Sequence, residues 1–318
     1  DQYLLVDSSK SVIGAEQLIS LIKHIIDPSS IKHVVILHAE PDHSGLMRGI
    51  SGSLTNATFH STSRASSFMK SMSNLETEAM KDGESLRVGD KVLRVIELPW
   101  IHWPDSMFLY LESEGILFSS DAFGAFGALR KPAFDDEIDF ASYMRQAKEY
   151  FATVVVAHRR MVLRDLEKVA TLRLDVKKIA PAHGVVLRSR IGEFTEALRS
   201  WCALEKKRKI TVVYGSMYGH TARFAGAVSE VLKEKAEEVP LYNVAEDGIN
   251  QTLSSILDSA GVVFVAPTYE ASLFPPMGNL VDLLRIKRLG EGKTAAVLVT
   301  KLWGGVAATQ LKSRLQEA

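Results

Sequence analysis

The feature that most limits what this chain can fold into is a strict alternation of apolar strands and helices from residue 210 onward. "ITVVYGS" (210–216) precedes "TARFAGAVSEVLKEKA" (221–236), and "VPLYNV" (239–244) precedes "INQTLSSILDSA" (249–260). "GVVFVAP" (261–267) precedes "MGNLVDLLRIKR" (277–288), and "TAAVLVT" (294–300) leads into a last helix. A βαβ series of this kind predicts an α/β doubly wound open parallel sheet with right-handed crossovers. Residues 1 to about 200 follow another pattern. "HVVIL" (33–37), "KVLRVIEL" (91–98), "MFLYLES" (107–113) and "GILFSSD" (115–121) read as strands, rich in Val, Ile, Leu and Phe. "SVIGAEQLISLIKHII" (11–26) and "EIDFASYMRQAKEYFATVV" (137–155) carry helical spacing. Strands paired in sequence, with helices between them, predict an α+β sandwich of two sheets with helices outside. The charged run "EKKRK" (205–209) reads as a solvated linker, giving domains at 1–204 and 210–318.

Composition narrows the function. Lys+Arg and Asp+Glu both number 38 in 318 residues, which argues against a nucleic-acid binder. A single cysteine, Cys202, excludes a disulfide framework and any all-thiolate iron site within the chain. No apolar run approaches membrane-spanning length, and no signal peptide is seen, so a cytoplasmic location is expected.

"VVILHAEPDHSG" (34–45) places His38, Glu40, Asp42 and His43 at the end of an apolar run. In a strand His38 and Glu40 face the same way, and Pro41 ends the strand, leaving Asp42 and His43 on the next turn. Alone, the stretch is read equally well as a helix start with an incidental histidine. "LPWIHWPDSM" then sets His102 in a turn between strands, "LFSSDAFG" ends a strand at Asp121, and "IAPAHG" ends another apolar segment at His183. Each candidate terminates an apolar run, so all can converge on one sheet edge. His24, His33, His60 and His158 read as surface or structural groups.

Three loops follow strands of the second part. Ser216, Met217, Tyr218, Gly219, His220 and Thr221 form a loop at a helix start, where backbone N–H groups, hydroxyls and the helix dipole suit a terminal monophosphate. Pro267, Thr268, Tyr269 and Glu270 follow the third strand; Lys301, Leu302, Trp303, Gly304 and Gly305 follow the fourth. Ligands of open α/β sheets bind at such carboxyl ends. Tyr269 or Trp303 offers a ring for stacking on a flat heterocycle, and the glycines let the backbone approach.

The ordered set HxExDH, HWPDS, SSDAFG and PAHG resembles that of flavodiiron proteins, within the metallo-β-lactamase superfamily, over nearly the whole chain. The resemblance implies a metallo-β-lactamase-like αββα sandwich followed by a flavodoxin-like domain binding FMN. It implies that one iron takes His38, Glu40 and His102, the other takes Asp42, His43 and His183, and Asp121 bridges both. It implies reduction of O2 to water, NO to N2O, or both. The implied electron donor is a separate rubredoxin-like protein or a reduced deazaflavin, and the implied assembly is a head-to-tail homodimer or a dimer of dimers. Against the family pattern, opening strands of the first domain and the last strand and helix of the second are expected to lie outside these residues.

Physical arguments support iron. Hydrolytic relatives present HxHxDH and usually bind zinc; Glu40 replaces the second histidine, and a carboxylate is the harder ligand, favouring the ferric state. Two ferrous ions bring four positive charges and Glu40, Asp42 and Asp121 three negative ones, so one bridging hydroxide neutralises the reduced site. The alternatives are a dizinc hydrolase carrying a flavodoxin domain and a non-catalytic flavin electron-transfer module.

Overall fold

The computed structural model describes residues 2–10, 14–128 and 134–318. Contacts divide the chain into two units, Asp1–Tyr143 with Arg160–Thr195, and Met144–Arg159 with Glu196–Ala318. This grouping differs from the expected limits of 1–204 and 210–318. The helix Phe140–Tyr150 runs on into a π-helical turn, Phe151–Val155, that packs against the helix Ile249–Leu257. Residues 11–13, where the first expected helix begins, lie outside the described residues; that helix spans Ala15–Lys23.

The first unit holds two sheets. β1 (Tyr3–Val6), β2 (Ile31–Val35), β3 (Thr58–Thr62) and β4 (Glu78–Met80) pair in chain order, all parallel. β5 (Ser85–Val88), β6 (Lys91–Glu97), β7 (Met107–Leu111), β8 (Ile116–Phe118) and β9 (Lys178–Ala180) form the other, antiparallel until β9 joins β8 in parallel. Alternation along β2 explains the layering. Val35 and, just past the strand, Leu37 meet Leu86, Val88, Leu93, Val95, Met107 and Leu109 of the other sheet. Val34 and Ile36 face outward into Ile19 and Ile22 of one helix and Ala65 and Met69 of another. Over the second sheet, Lys168 of the helix Arg159–Thr171 donates to the Glu97 carbonyl of β6 at 2.9 Å. The result is the expected αββα arrangement.

β6 and β8 both run antiparallel to β7, and β9 runs parallel to β8. The carboxyl ends of β6, β8 and β9 therefore share one edge, which is where the loops bearing His102, Asp121 and His183 leave the sheet.

The second unit is a parallel sheet of β10 (Lys207–Tyr214), β11 (Leu241–Asn243), β12 (Ser259–Tyr269) and β14 (Thr294–Thr300), ordered β11-β10-β12-β14. The short β13 (Ser272–Leu273) folds back antiparallel on the end of β12. Val212, Val263 and Val265 face the helix His220–Leu232 through Ala225, while Val213 and Phe264, on the opposite face, are equally buried. Burial on both faces accounts for the near-continuous apolar runs of β10 and β12. The order reverses between β10 and β12, the switch point at which doubly wound sheets bind ligands. Among the described residues, no helix is long and apolar enough to cross a membrane.

The expectation that "EKKRK" is a solvated connector holds for residues 205–208, which are exposed, and fails at Lys209. Lys207–Lys209 open β10, and Lys209 is 4% exposed, its Nζ on Asp258 Oδ1. Lys148 Nζ meets the other oxygen, Asp258 Oδ2, at 2.6 Å. Lys293 Nζ donates to the Leu257 and Ser259 carbonyls, each at 3.0 Å. A buried carboxylate thus takes the charge of the one lysine of the run that is buried. Burial, then the charge of Lys209, holds Lys148 down to about 8, and burial holds Lys293 to about 8, against 10.5 for a free lysine. Between these values the unfolded chain binds more protons than the folded one, so these lysines make stability rise with pH from about 8 to about 10.5. Asp258→Asn, which strands the buried ammonium groups, should cost about 3–5 kcal/mol. Urea denaturation of both proteins across that pH range checks both expectations.

Candidate metal centre and flavin loops

The pleat of β2 does not align His38 with Glu40, contrary to expectation. β2 ends at Val35, and residues 36–40 form an irregular exit before the short helix Pro41–Ser44, whose N-cap is Glu40. Two buried carboxylates that sequence reasoning missed hold this exit. Asp7, at the end of β1, accepts the Leu37 N–H at 2.7 Å, and Asp105, before β7, accepts the Ala39 N–H at 2.7 Å. Each also faces a histidine. The His43 imidazole donates from Nδ1 to Asp7 Oδ2 at 3.0 Å, and Asp105 Oδ1 lies 3.3 Å from His38 Nδ1. The Trp103 ring stands edge-on to His38, centroids 5.0 Å apart.

All seven predicted ligand residues come together. Ligand atoms of His38, Glu40, His102 and Asp121 lie within 4.8 Å of one another, as do those of Asp42, His43 and His183. Asp121 spans the two groups. Its Oδ1 is 3.0 Å from His43 Nε2 and 3.2 Å from His183 Nε2; its Oδ2 is 3.5 Å from His38 Nε2 and 3.6 Å from His102 Nε2. Glu40 Oε2 sits 2.9 Å from His102 Nε2 and 3.2 Å from His38 Nε2. His38, His43 and Asp121 are buried, while Glu40, Asp42 and His183 are about one-third exposed on their side chains, so the cluster is dry behind and open in front.

The charges show what such a cluster asks for. Hydrogen bonds from His102 and then His38 hold Glu40 down to about 2. Burial opposes ionisation of Asp121, yet hydrogen bonds from His183 and His43 outweigh it and keep the group well below the carboxylate range. Burial likewise opposes charge on His43, but Asp121 and Asp7 outweigh it and raise the ring to about 11. Asp42 Oδ1 is buried with no hydrogen-bond donor. Three carboxylates and four imidazoles aimed inward, with an unsatisfied oxygen among them, fit two hard divalent cations.

In the second unit, the first loop runs from β10 to the helix His220–Leu232. Ser216 Oγ accepts the Gly219 N–H at 3.1 Å, and Gly219, with φ of 83°, is the N-cap residue. Thr221 is therefore not the cap. It lies buried inside the helix, its hydroxyl 2.8 Å from that of Thr300, a residue sequence reasoning did not single out, and this contact ties the first loop to the third. His220 Nδ1 meets Arg223 Nη2 at 2.8 Å. Pro267 pairs with Thr300 across β12 and β14. Glu270 and Ala271 turn the chain with positive φ between β12 and β13, and Gly304, with φ of 71°, passes close to Ala271 and Thr268. Thr268 Oγ1 is buried without a partner. Met217, Tyr218, Tyr269, Leu302 and Trp303 are exposed around these loops, and Tyr269 stands edge-on to Phe274 at 6.3 Å. An apolar rim, a free hydroxyl and a glycine-lined approach at the switch point fit a flat, phosphorylated cofactor.

Two family profiles match the chain: ODP family beta lactamase over residues 1–184 and flavodoxin over residues 212–318. The flavodiiron protein of Giardia intestinalis superimposes with a TM-score of 0.93 at 30% identity, covering 99% of this chain and 77% of that one. The chain belongs to the flavodiiron family. It is 30% identical to the nitric oxide reductase of Moorella thermoacetica, over 99% of this chain and 81% of the relative. It is 29% identical to the anaerobic nitric oxide reductase flavorubredoxin of Escherichia coli, over 100% of this chain and 67% of the relative. Rubredoxin oxygen:oxidoreductase of Desulfovibrio gigas, at 24% identity and a TM-score of 0.92 over 98% of this chain and 79% of that one, shares the fold.

The loop after β10 in this flavodiiron chain yields a comparison of two glycines. A Cβ on Gly215 would collide with the Phe274 ring, whereas one on Gly219 meets open space and suffers only from the positive φ. Gly219→Ala should cost about 1 kcal/mol and Gly215→Ala about 2–3 kcal/mol, the latter also displacing the ring that backs Tyr269. Thermal denaturation of the two variants measures the difference.

Proposed function

We propose that this flavodiiron oxidoreductase carries electrons from an external donor through FMN to a di-iron centre that reduces O2 to water, NO to N2O, or both. The observation that carries the reading is Asp121, which offers one oxygen to each of two ligand groups. The relative from Moorella thermoacetica is named a nitric oxide reductase.

On this reading His38, Glu40 and His102 hold one iron, Asp42, His43 and His183 the other, and Asp121 bridges them. The loops at Ser216–Thr221, Pro267–Glu270 and Lys301–Gly305 hold FMN. When bound, the flavin supplies electrons one at a time and the iron pair supplies the redox chemistry on a diatomic substrate. The protein's own part is geometry and exclusion. Asp121 sets the spacing of the two ligand groups, and the buried His38 and His43 keep water from the rear. The exposed edges of Glu40, Asp42 and His183 leave a front through which a small substrate enters. Glu40 biases the site to iron by supplying a hard oxygen where a zinc site places imidazole. The donor is a rubredoxin-like protein or a reduced deazaflavin, the working form a head-to-tail homodimer or a dimer of dimers, and the location the cytoplasm.

Metal analysis with a visible spectrum tests the reading. Iron with a flavin spectrum supports it, and zinc without redox activity overturns it. Stopped-flow oxidation of the reduced protein by O2 and by NO ranks the substrates. Asp121→Asn should lower iron content and reduce turnover more than about 100-fold while FMN stays bound, because the neutral amide leaves positive charge uncompensated. Full turnover by that variant would remove the bridging role.

A further inference from the structure

We propose that Asp105 is the positioning residue for the His38 half of the metal centre, and that this half is weakened separately from the other. The inference rests on reading the two ligand groups as a metal pair. Asp105 and His38 are both wholly buried at the side chain, with Asp105 Oδ1 3.3 Å from His38 Nδ1. Neither atom forms a hydrogen bond of full geometry among the described residues, so each is left facing the other as its nearest opposite group. The other carboxylate oxygen is engaged by the Ala39 N–H at 2.7 Å, so the carboxylate cannot rotate away. A carboxylate held against one ring nitrogen makes that nitrogen the protonated one. The lone pair is then left on Nε2, which lies 3.2 Å from Glu40 Oε2 and 3.5 Å from Asp121 Oδ2. The edge of Trp103, itself backed edge-on by Phe68 at 6.3 Å, limits swing of the His38 ring.

The other half is held by a different element. His43 Nδ1 faces Asp7 at the end of β1, whose second oxygen takes the Leu37 N–H. Two carboxylates thus grip alternate backbone N–H groups of one strand exit, and each sets the tautomer of one histidine. Loss of Asp105 misorients His38 alone.

The test uses the full chain, stripped of metal and titrated anaerobically with Fe(II), then with Co(II) as a spectroscopic probe. Asp105→Asn keeps an oxygen for the Ala39 N–H but turns a donor toward His38 Nδ1, which favours the wrong tautomer. The expected result is one ion bound as in the wild type and the other bound 10–100-fold more weakly, with one part of the Co(II) absorption lost. Asp7→Asn should weaken the other ion. Thr62→Val, which removes the hydroxyl bond to the Asp105 carbonyl and the cap bond from the Ala65 N–H but leaves the Asp105 carboxylate in place, should leave both affinities unchanged. Equal weakening of both ions by Asp105→Asn, no weakening, or the same loss in Thr62→Val overturns the proposal. If Asp105→Asn does not fold, NMR of the zinc-loaded wild type decides: a His38 Nδ1 proton shifted downfield and protected from exchange by a carboxylate acceptor supports the proposal, and one without that shift, or an unprotonated Nδ1, overturns it. A wild-type chain that takes up fewer than two ions overturns the metal-pair reading itself, and this inference with it.

Discussion

A carboxylate that is 1% exposed needs positive charge or hydrogen-bond donors at both oxygens, and Asp121 has His43 and His183 at one and His38 and His102 at the other. To bring four imidazoles from three separate segments to one carboxylate on a fourth, the first unit must end β2, β6, β8 and β9 near one place. The sheet directions do this, because β6, β8 and β9 run the same way and deliver their carboxyl ends to a common edge. The apolar layer between the sheets, built on Val35, Leu37, Val95 and Leu109, holds that edge in register with the β2 exit. Packing fixes the approximate position of each ligand residue, and Asp7 and Asp105 fix ring orientation.

The second unit solves a similar problem at the opposite sign. Lys209 is buried at the start of the parallel sheet with the half-buried Lys148 beside it, and Asp258 makes that tolerable. At the other ends of the strands, where the order reverses between β10 and β12, the first and third loops are tied together by Thr221 and Thr300. A parallel sheet leaves its carboxyl ends free of hairpins, so that is where it can present backbone N–H groups and hydroxyls to a ligand.

Much of this was legible from residues alone, for reasons that can be named. The alternation from residue 210 is a local signal with a period, and "TAAVLVT" emerged as β14 at its exact limits, Thr294–Thr300. The ligand motifs were legible because each ends an apolar run in a residue able to bind metal, and ordinary turn and cap roles explain one such ending better than all of them together. The same signal stood at Asp7, which ends "YLLV", but a single acid after a strand is also an ordinary turn residue. Asp105 was hidden beside His102 in "HWPDS", where the histidine carried the attention. In "EKKRK" residues 205–208 are solvated as charge runs usually are, and the burial of Lys209 was not legible because its partner, Asp258, lies 49 positions away.

The sequence by itself determined the two kinds of sheet, the order of the ligand motifs and the oxygen-rich donor set that favours iron. These depend on side-chain type and on periods of two and three to four residues, which neighbouring residues impose through backbone geometry. Only the tertiary structure decided which ligands share a group, that Asp121 splits its oxygens between them, and that carboxylates 36 and 66 positions away from their contacts hold His43 and the Ala39 N–H. Such contacts follow from sheet order and strand direction, which bring distant segments together through burial of apolar area, a driving force without direction and therefore without a signature in residue spacing.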